Sequence, residues 1–252
     1  MNESKSQPLI IGHRGAYDEA PENTLKGFKK AIELGADYLE FDVHQSKDGA
    51  LVVIHDIDIL RRMGIDNSIV QLTLRELQEL DLGEGERVPE LWEVLKLAKG
   101  KINLLCGIKA LGISNKVITL LKDENVIDST IIQSFYYKEL LEVRRIEPEL
   151  ELALIVPNTE EYIPEWDKRK ELIESVVKLN IPFIVTRHKN VDEQFLHFSH
   201  KHNLKVFAYT INTKKIMERM VKMGVDGIIV NSISKAKKIL DKKIKKVLNR
   251  DV

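Results

Sequence analysis

The sequence predicts a single β/α barrel, and two observations lead to that prediction. Short runs rich in β-branched residues alternate with amphipathic stretches along the chain, as expected for repeated strand–helix units around a parallel sheet. The chain has 252 residues, a length at which such barrels commonly form one domain. We therefore expect one barrel domain over residues 1–252.

Eight short apolar runs are predicted to be the barrel strands. Each has the length of a buried strand and is bounded by polar or turn-forming residues. The predicted strands are Leu9–Gly12, Tyr38–Val43, Ile102–Ile108, Thr130–Ser134, Glu151–Val156, Phe183–Thr186, Lys205–Thr210 and Gly227–Val230.

Helices are predicted between these strands because apolar residues recur there at helical spacing. In Thr24–Leu34, Leu25 and Phe28 share a face with Ala31, and either Asn23 or Thr24 can cap the helix start. The other predicted helices are Leu91–Ala98, Val117–Glu124, Lys138–Arg145, Glu171–Leu179, Val191–His200, Lys214–Met223 and Ser234–Leu248.

An insertion after the second strand interrupts the repeat. Leu51–Ile54 is predicted to be an additional short strand, and residues 56–89 contain turns and a small helix at Thr73–Leu77. Loops at the C-terminal ends of barrel strands build the active sites of such folds. We therefore expect the insertion to shape a substrate pocket.

Composition limits the partners that we expect. Basic and acidic residues each number 39, so no overall field would attract nucleic acid. The only cysteine is Cys106, which excludes an internal disulfide. The N-terminal residues lack the apolar core of a signal peptide, and no apolar run approaches the roughly 20 residues of a transmembrane helix. We expect a cytoplasmic protein with a small-molecule substrate and no transmembrane segment. Whether the chain forms a homo-oligomer stays open, since no sequence pattern identifies an interface.

Two acidic side chains on the second strand point to a charged site. Successive side chains of a strand alternate between its faces, so Glu40 and Asp42 point the same way while Phe41 faces the helices. Two neighbouring carboxylates repel each other unless a proton or a cation lies between them. Hard oxygen ligands suit Mg²⁺ or Ca²⁺, and the alternative is a pair neutralised by arginine or lysine.

Two histidines and an arginine lie at the ends of predicted strands. His13 and Arg14 directly follow the first strand, and His55 follows the additional strand. A lone histidine is more often structural, but here two histidines accompany an arginine and two carboxylates at one rim. Histidine exchanges protons near neutral pH, and the planar guanidinium matches phosphate oxygens. This combination favours chemistry on a phosphodiester, which needs an acid and a base.

Several motifs resemble those of the glycerophosphodiester phosphodiesterase family in order and spacing, over essentially the whole chain. They are His13-Arg14-Gly15, Pro21-Glu22-Asn23-Thr24, Gly35-Ala36-Asp37 with Glu40 and Asp42, Lys47-Asp48-Gly49, His55-Asp56, Ile132-Gln133-Ser134-Phe135, Tyr209-Thr210-Ile211-Asn212 and Gly224-Val225-Asp226-Gly227-Ile228-Ile229. The resemblance implies a TIM (β/α)8 barrel that hydrolyses glycerophosphodiesters to glycerol 3-phosphate and an alcohol. It implies a divalent cation, Mg²⁺ or Ca²⁺ with Mn²⁺ as an alternative, and a role in glycerol and lipid metabolism.

The resemblance also implies a role for individual residues. His13 and His55 would be the catalytic acid–base pair, with the direction of proton transfer left open. The metal ligands would be Glu40 and Asp42. Phosphate would be bound by Arg14 and Lys109, and Tyr209 would contact the substrate.

The third barrel strand departs from the family pattern. The family typically has Glu-Ile-Lys or Glu-Leu-Lys there, and its glutamate is a third carboxylate for the metal. Here the segment reads Cys106-Gly107-Ile108-Lys109, so Gly107 removes that ligand. Tyr209 stands where the family usually has tryptophan, and Asn231 lies where a Thr-Asp pair is usual. The Leu60–Gly64 segment matches the family only in part.

These departures leave three hypotheses. The first is a metal-dependent glycerophosphodiester hydrolase. The second is a weakly active or non-catalytic barrel that binds phosphate esters, because Gly107 removes a metal ligand. The third is a lysophospholipase D-like enzyme, which would require an apolar groove beside the insertion.

Overall fold

The computed structural model describes residues 7–55, 68–156, 163 and 165–248, without the side chains of 243–248. Strands and helices alternate over these residues, so the predicted β/α pattern is confirmed. The strands are β1 (Leu9–Gly12), β2 (Tyr38–Gln45), β3 (Leu51–Val53), β4 (Asn103–Ile108), β5 (Thr130–Ser134), β6 (Glu151–Ile155), β7 (Phe183–Arg187), β8 (Lys205–Tyr209) and β9 (Gly227–Val230). The helices are α1 (Leu25–Glu33), α2 (Leu74–Gln78), α3 (Leu91–Ala98), α4 (Ser114–Asp123), α5 (Tyr137–Ile146), α6 (Trp166–Lys178), α7 (Glu193–Lys201), α8 (Lys214–Met223) and α9 (Ile233–Leu248).

Eight parallel strands close into a barrel. Their order is β1-β9-β8-β7-β6-β5-β4-β2, and the parallel pairing of β1 with β2 joins the two ends. The predicted TIM barrel is therefore confirmed. The added strand β3 pairs antiparallel with the end of β2, where Val43 lies opposite Val53 and Gln45 opposite Leu51.

Most element boundaries agree with the prediction, and the differences have local causes. Strand β2 continues to Gln45 because β3 pairs with its last residues. Helix α6 begins at Trp166, earlier than the predicted Glu171, and its first turns hold the buried Arg169. The predicted small helix is α2, within the insertion, whereas residues 56–67 of that insertion lie outside the described part of the chain.

Two apolar layers hold the barrel together. Inside it, aliphatic and aromatic side chains from β1 and from β4 to β9 form a core, including Leu105, Phe183 and Phe207. Outside it, the other face of each strand packs against the helices, and Phe41 and Cys106 lie in that layer. Because side chains alternate, burial of Phe41 among the helices directs Glu40 and Asp42 into the barrel.

None of the helices in the described ranges is long and apolar enough to cross a membrane.

Candidate active site

The predicted site residues line one cavity at the C-terminal ends of the strands. The cavity has a volume of about 200 Å³. Its lining includes every residue predicted from the sequence: His13, Arg14, Glu40, Asp42, His55, Lys109 and Tyr209. The lining also includes four polar or aromatic residues that sequence reasoning did not assign to the site: Gln133, Phe135, Arg187 and Thr210.

Protein donors surround the two carboxylates. Glu40 is 4% exposed; its Oε2 accepts from the Arg14 backbone N–H at 3.0 Å and its Oε1 from Gln133 Nε2 at 2.8 Å. Asp42 is 1% exposed, with Oδ1 lying 3.1 Å from Lys109 Nζ and Oδ2 lying 3.5 Å from Arg14 Nε. The sequence left two alternatives for the carboxylate pair, a bound cation or neutralisation by arginine or lysine, and the contacts with arginine and lysine are present.

The carboxylates respond differently to this environment. Burial, followed by repulsion from Asp42, raises the pKa of Glu40 to about 7. Burial also acts to raise the pKa of Asp42, but Lys109, His55 and Arg14 outweigh it and hold that pKa well below its usual range. At neutral pH the pair therefore carries between one and two negative charges.

The loop after β1 presents Arg14 and orients Asp42. Arg14 has a φ of 51°, in the left-handed region that costs a non-glycine residue energy, and this turn directs its N–H at Glu40. Its guanidinium donates to Glu22 Oε2 at 2.5 Å. Asn23, also in the left-handed region, donates to Asp42 Oδ2 at 3.2 Å. Asn23 thus serves the site, and Thr24 is the residue that caps α1.

His13 is held by a residue from the other end of the chain. Its Nδ1 lies 2.7 Å from Oδ1 of Asn231, which follows β9. Burial, aided by the Arg14 charge, lowers the pKa of His13 to about 4. A neutral ring that donates Nδ1–H to the amide oxygen leaves Nε2 as the nitrogen that can accept a proton.

The position of Gly107 explains how Lys109 reaches Asp42. Gly107 pairs with Asp42 on one side and with Gln133 on the other. A β-carbon added at Gly107 would lie 3.2 Å from Cε of Lys109 and 3.5 Å from Asp42 Oδ1. Lys109 therefore occupies the space beside the missing side chain, and its Nζ also lies 4.6 Å from the centre of the Phe135 ring.

A larger groove opens from the cavity toward the insertion. Its volume is about 570 Å³, and it shares His55, Lys109 and Phe135 with the cavity. Apolar side chains dominate its wall, including Ile69, Val70, Ala110, Leu111 and Tyr136. Val70 and Leu111 are 54% and 62% exposed, respectively. The apolar groove required by the third hypothesis is thus present.

The cavity offers a divalent cation fewer protein ligands than the family pattern does. Among the described residues, no group of three or more His, Cys, Asp or Glu side chains is arranged to hold a metal ion. Glu40 and Asp42 remain, and beside them the buried Gln133 Oε1 has no hydrogen-bond partner. These oxygens suit Mg²⁺, which is commonly held by one or two carboxylates with water and phosphate oxygens. Ca²⁺ takes about six to eight oxygens and fits less well.

Comparison with known proteins agrees with this geometry. The model of the glycerophosphoryl diester phosphodiesterase family matches residues 13–235. A glycerophosphodiester phosphodiesterase of Caldanaerobacter subterraneus is 36% identical over 236 residues, covering 88% of this chain and 93% of the relative. A phosphodiesterase of Oleispira antarctica, solved with the product sn-glycerol-3-phosphate, superposes with a TM-score of 0.82 at 26% identity, covering 93% and 97% of the two chains. A glycerophosphodiester phosphodiesterase of Thermotoga maritima has a TM-score of 0.77 at 26% identity, covering 93% of this chain and 99% of its own. The chain therefore belongs to the glycerophosphoryl diester phosphodiesterase family, whose members are phosphoric diester hydrolases.

Proposed function

We propose that this chain hydrolyses glycerophosphodiesters to glycerol 3-phosphate and an alcohol. The observation that carries the proposal is the meeting of His13, Arg14, Asp42, His55 and Lys109 around one cavity. A bound phosphodiester needs cationic donors for its oxygens and two groups that exchange protons. Arg14 and Lys109 supply the cationic donors, His13 and His55 supply the proton exchange, and Asp42 contacts both cations.

In the proposed reaction Arg14 and Lys109 bind the phosphoryl oxygens. The neutral His13 accepts a proton at Nε2 from the water molecule whose oxygen bonds to phosphorus as the P–O bond to the alcohol breaks, because its Nδ1 is engaged with Asn231. His55 donates a proton to the leaving alkoxide. A divalent cation held by Glu40 and Asp42 would offset negative charge that develops on the phosphoryl group.

The test is a coupled assay for glycerol 3-phosphate released from glycerophosphocholine, glycerophosphoethanolamine and glycerophosphoglycerol. Wild type is compared with His13→Ala and His55→Ala, each with Mg²⁺, Ca²⁺, Mn²⁺ or EDTA. The matched control is His197→Ala, since His197 is an exposed histidine on α7 that does not line the cavity.

We expect release to fall by about 100-fold or more in His13→Ala and His55→Ala, as for loss of an acid or base, and to be unchanged in His197→Ala. Wild type that releases no product with any cation would contradict hydrolysis. Binding of glycerol 3-phosphate without turnover would then favour the alternative of a non-catalytic phosphate-ester-binding barrel, motivated by Gly107.

The apolar groove favours lysophospholipids as a second class of substrate. An acyl chain on the glycerol would lie along Val70 and Leu111 while the phosphate stays between Arg14 and Lys109. Leu111→Ser is then expected to reduce release of lysophosphatidic acid from lysophosphatidylcholine without reducing release of glycerol 3-phosphate. Leu141→Ser, at an exposed leucine of α5 outside the groove, is the control. Equal effects of the two substitutions would contradict this use of the groove.

A further inference from the structure

Arg187 is a cation on the far wall of the active-site cavity. It ends β7, which lies four strands from β2 in either direction around the barrel. The cavity therefore has Arg14 and Lys109 near Asp42 on one side and Arg187 on the other. Arg187 has no part in the roles proposed above for the two histidines and the two carboxylates.

The guanidinium of Arg187 has no anionic partner within the described part of the chain. No ion pair joins it to a carboxylate there, and its buried Nε makes no hydrogen bond. Arg14 and Arg169 also have a buried Nε without a hydrogen bond, but each has a carboxylate partner: Arg14 lies 2.5 Å from Glu22 and Arg169 lies 2.6 Å from Asp192. An arginine is charged at any physiological pH, so this site has an unbalanced positive charge.

The surroundings of Arg187 strengthen its attraction for an anion. The wall beside it is formed by the apolar side chains of Ile155, Val185 and Ile229, which screen charge poorly. Its strand neighbour Tyr209 is a side-chain hydrogen-bond partner of Arg187, but that hydroxyl also donates toward the Val156 carbonyl oxygen at 3.4 Å and is neutral, so it supplies no negative charge. A partly buried cation whose charge no carboxylate offsets is costly, and an anionic ligand would relieve that cost.

A phosphodiester bound between Arg14 and Lys109 extends two arms. The groove lined by Val70 and Leu111 is open and apolar, and it suits the glycerol arm with or without an acyl chain. With the glycerol arm in that groove, the smaller space against Arg187 and Tyr209 would receive the leaving alcohol.

We propose that Arg187 binds an anionic group on that alcohol, so that preferred substrates carry a carboxylate or a second phosphate on the leaving group. This inference rests on the proposed hydrolysis of glycerophosphodiesters. It makes Arg187 a specificity residue that acts on the leaving group.

Two pairs of substrates isolate the anion. Glycerophosphoserine differs from glycerophosphoethanolamine by one carboxylate, and glycerophosphoglycerol 3-phosphate differs from glycerophosphoglycerol by a second phosphate. The ratio of kcat/KM within each pair is measured for wild type, Arg187→Gln and Arg187→Lys. Lys189→Gln is the matched control, because it removes an equal charge at an exposed position two residues away that does not line the cavity.

We expect wild type and Lys189→Gln to favour the anionic member of at least one pair by about 10- to 100-fold, as for a hydrogen bond between charged groups. That preference should fall to about one in Arg187→Gln and be partly kept in Arg187→Lys. The pair that shows the preference identifies the anion as carboxylate or phosphate. Absence of a preference in wild type, or an equal fall for both members in Arg187→Gln, would overturn the proposal.

A separate measurement keeps this inference apart from the proposed hydrolysis. If wild type cleaves none of the four substrates, the proposed function fails, and calorimetric binding of O-phosphoserine and O-phosphoethanolamine tests Arg187 directly. Tighter binding of O-phosphoserine that is lost in Arg187→Gln supports the anion site. Equal binding of the two compounds by wild type would refute it.

Discussion

Replacing Asn231 by aspartate tests which histidine is the base. The amide oxygen of Asn231 lies 2.7 Å from Nδ1 of His13, and Asn231→Asp places a carboxylate there. An opposite charge at this distance favours the protonated ring and raises a pKa by about 1 to 3 units. The pKa of His13, about 4 in the wild type, should therefore rise to between about 5 and 7.

The direction of the change in activity follows from the proposed role of His13. A general base must be neutral, so activity is lost as pH falls through its pKa. With a pKa near 4, His13 is about nine-tenths neutral at pH 5; with a pKa near 6, it is about one-tenth neutral. We expect kcat/KM of Asn231→Asp to be about tenfold lower than that of wild type at pH 5 and equal to it at pH 8.

The assay is the pH dependence of kcat/KM on glycerophosphoethanolamine from pH 4 to 9. Asn212→Asp is the control, because Asn212 is an exposed asparagine whose side chain accepts from the Asn231 backbone at 3.4 Å without contacting His13. An unchanged acidic limb in Asn231→Asp would refute the assignment of His13 as base. Movement of only the alkaline limb to higher pH would instead identify His13 as the acid.

Three further predictions concern Lys109, Gly107 and the buried Glu139. Lys109→Met removes the ammonium group 3.1 Å from Asp42 and should lower kcat/KM by about 100- to 1,000-fold, as for loss of one preorganised donor. The control, Lys101→Met at the surface, should have no effect, and equal rates of glycerol 3-phosphate release in the two variants would contradict a role of Lys109 in phosphate binding. Gly107→Glu adds a third carboxylate and should tighten Mg²⁺ binding by about 10- to 100-fold relative to the Gly107→Ala control, as measured by calorimetry. Equal Mg²⁺ affinities in the two variants would show that Lys109 still fills the space beside residue 107. Glu139→Ala removes the acceptor of the Gly112 N–H, at 2.7 Å, and of the Ser114 hydroxyl, and should lower the free energy of unfolding, measured by urea titration, by about 1 to 3 kcal/mol. The control, Glu142→Ala, breaks an exposed ion pair with Arg145 and should change the free energy of unfolding by less than about 1 kcal/mol. Equal losses in the two variants would contradict the importance of burial.

The residues that could be predicted from the sequence are those whose position depends on one strand. Alternation along β2 was enough to place Glu40 and Asp42 on the same inward face, because the period of a strand does not depend on its neighbours. His13 likewise follows β1 directly, so its place at the rim follows from the end of that strand. Such local rules also predicted the barrel, since eight repeated units have few ways to close.

Residues that depend on contacts between distant segments were not predicted. Asn231 meets His13 across 218 residues of sequence, and Gln133 meets Glu40 across 93. The partners of Gly107 depend on the register of β2, β4 and β5, which single-strand patterns do not specify. Arg187 had one usable signal, a cation at the end of a predicted strand, but the absence of a carboxylate partner among the described residues is visible only in three dimensions.

The substitution at Gly107 changes the charge that the site must balance. With a glutamate there, three neighbouring carboxylates would face Arg14 and Lys109, and Glu22 already pairs with Arg14. Such a site would need a divalent cation to offset the excess of negative charge. Here Glu40 is half protonated near its pKa of about 7, and Asp42 is paired with Lys109. In this chain the two protein cations face Glu22, Asp42 and a partly protonated Glu40, which is one carboxylate fewer than in Gly107→Glu, so the dependence of turnover on a divalent cation should be weaker in this chain than in that variant.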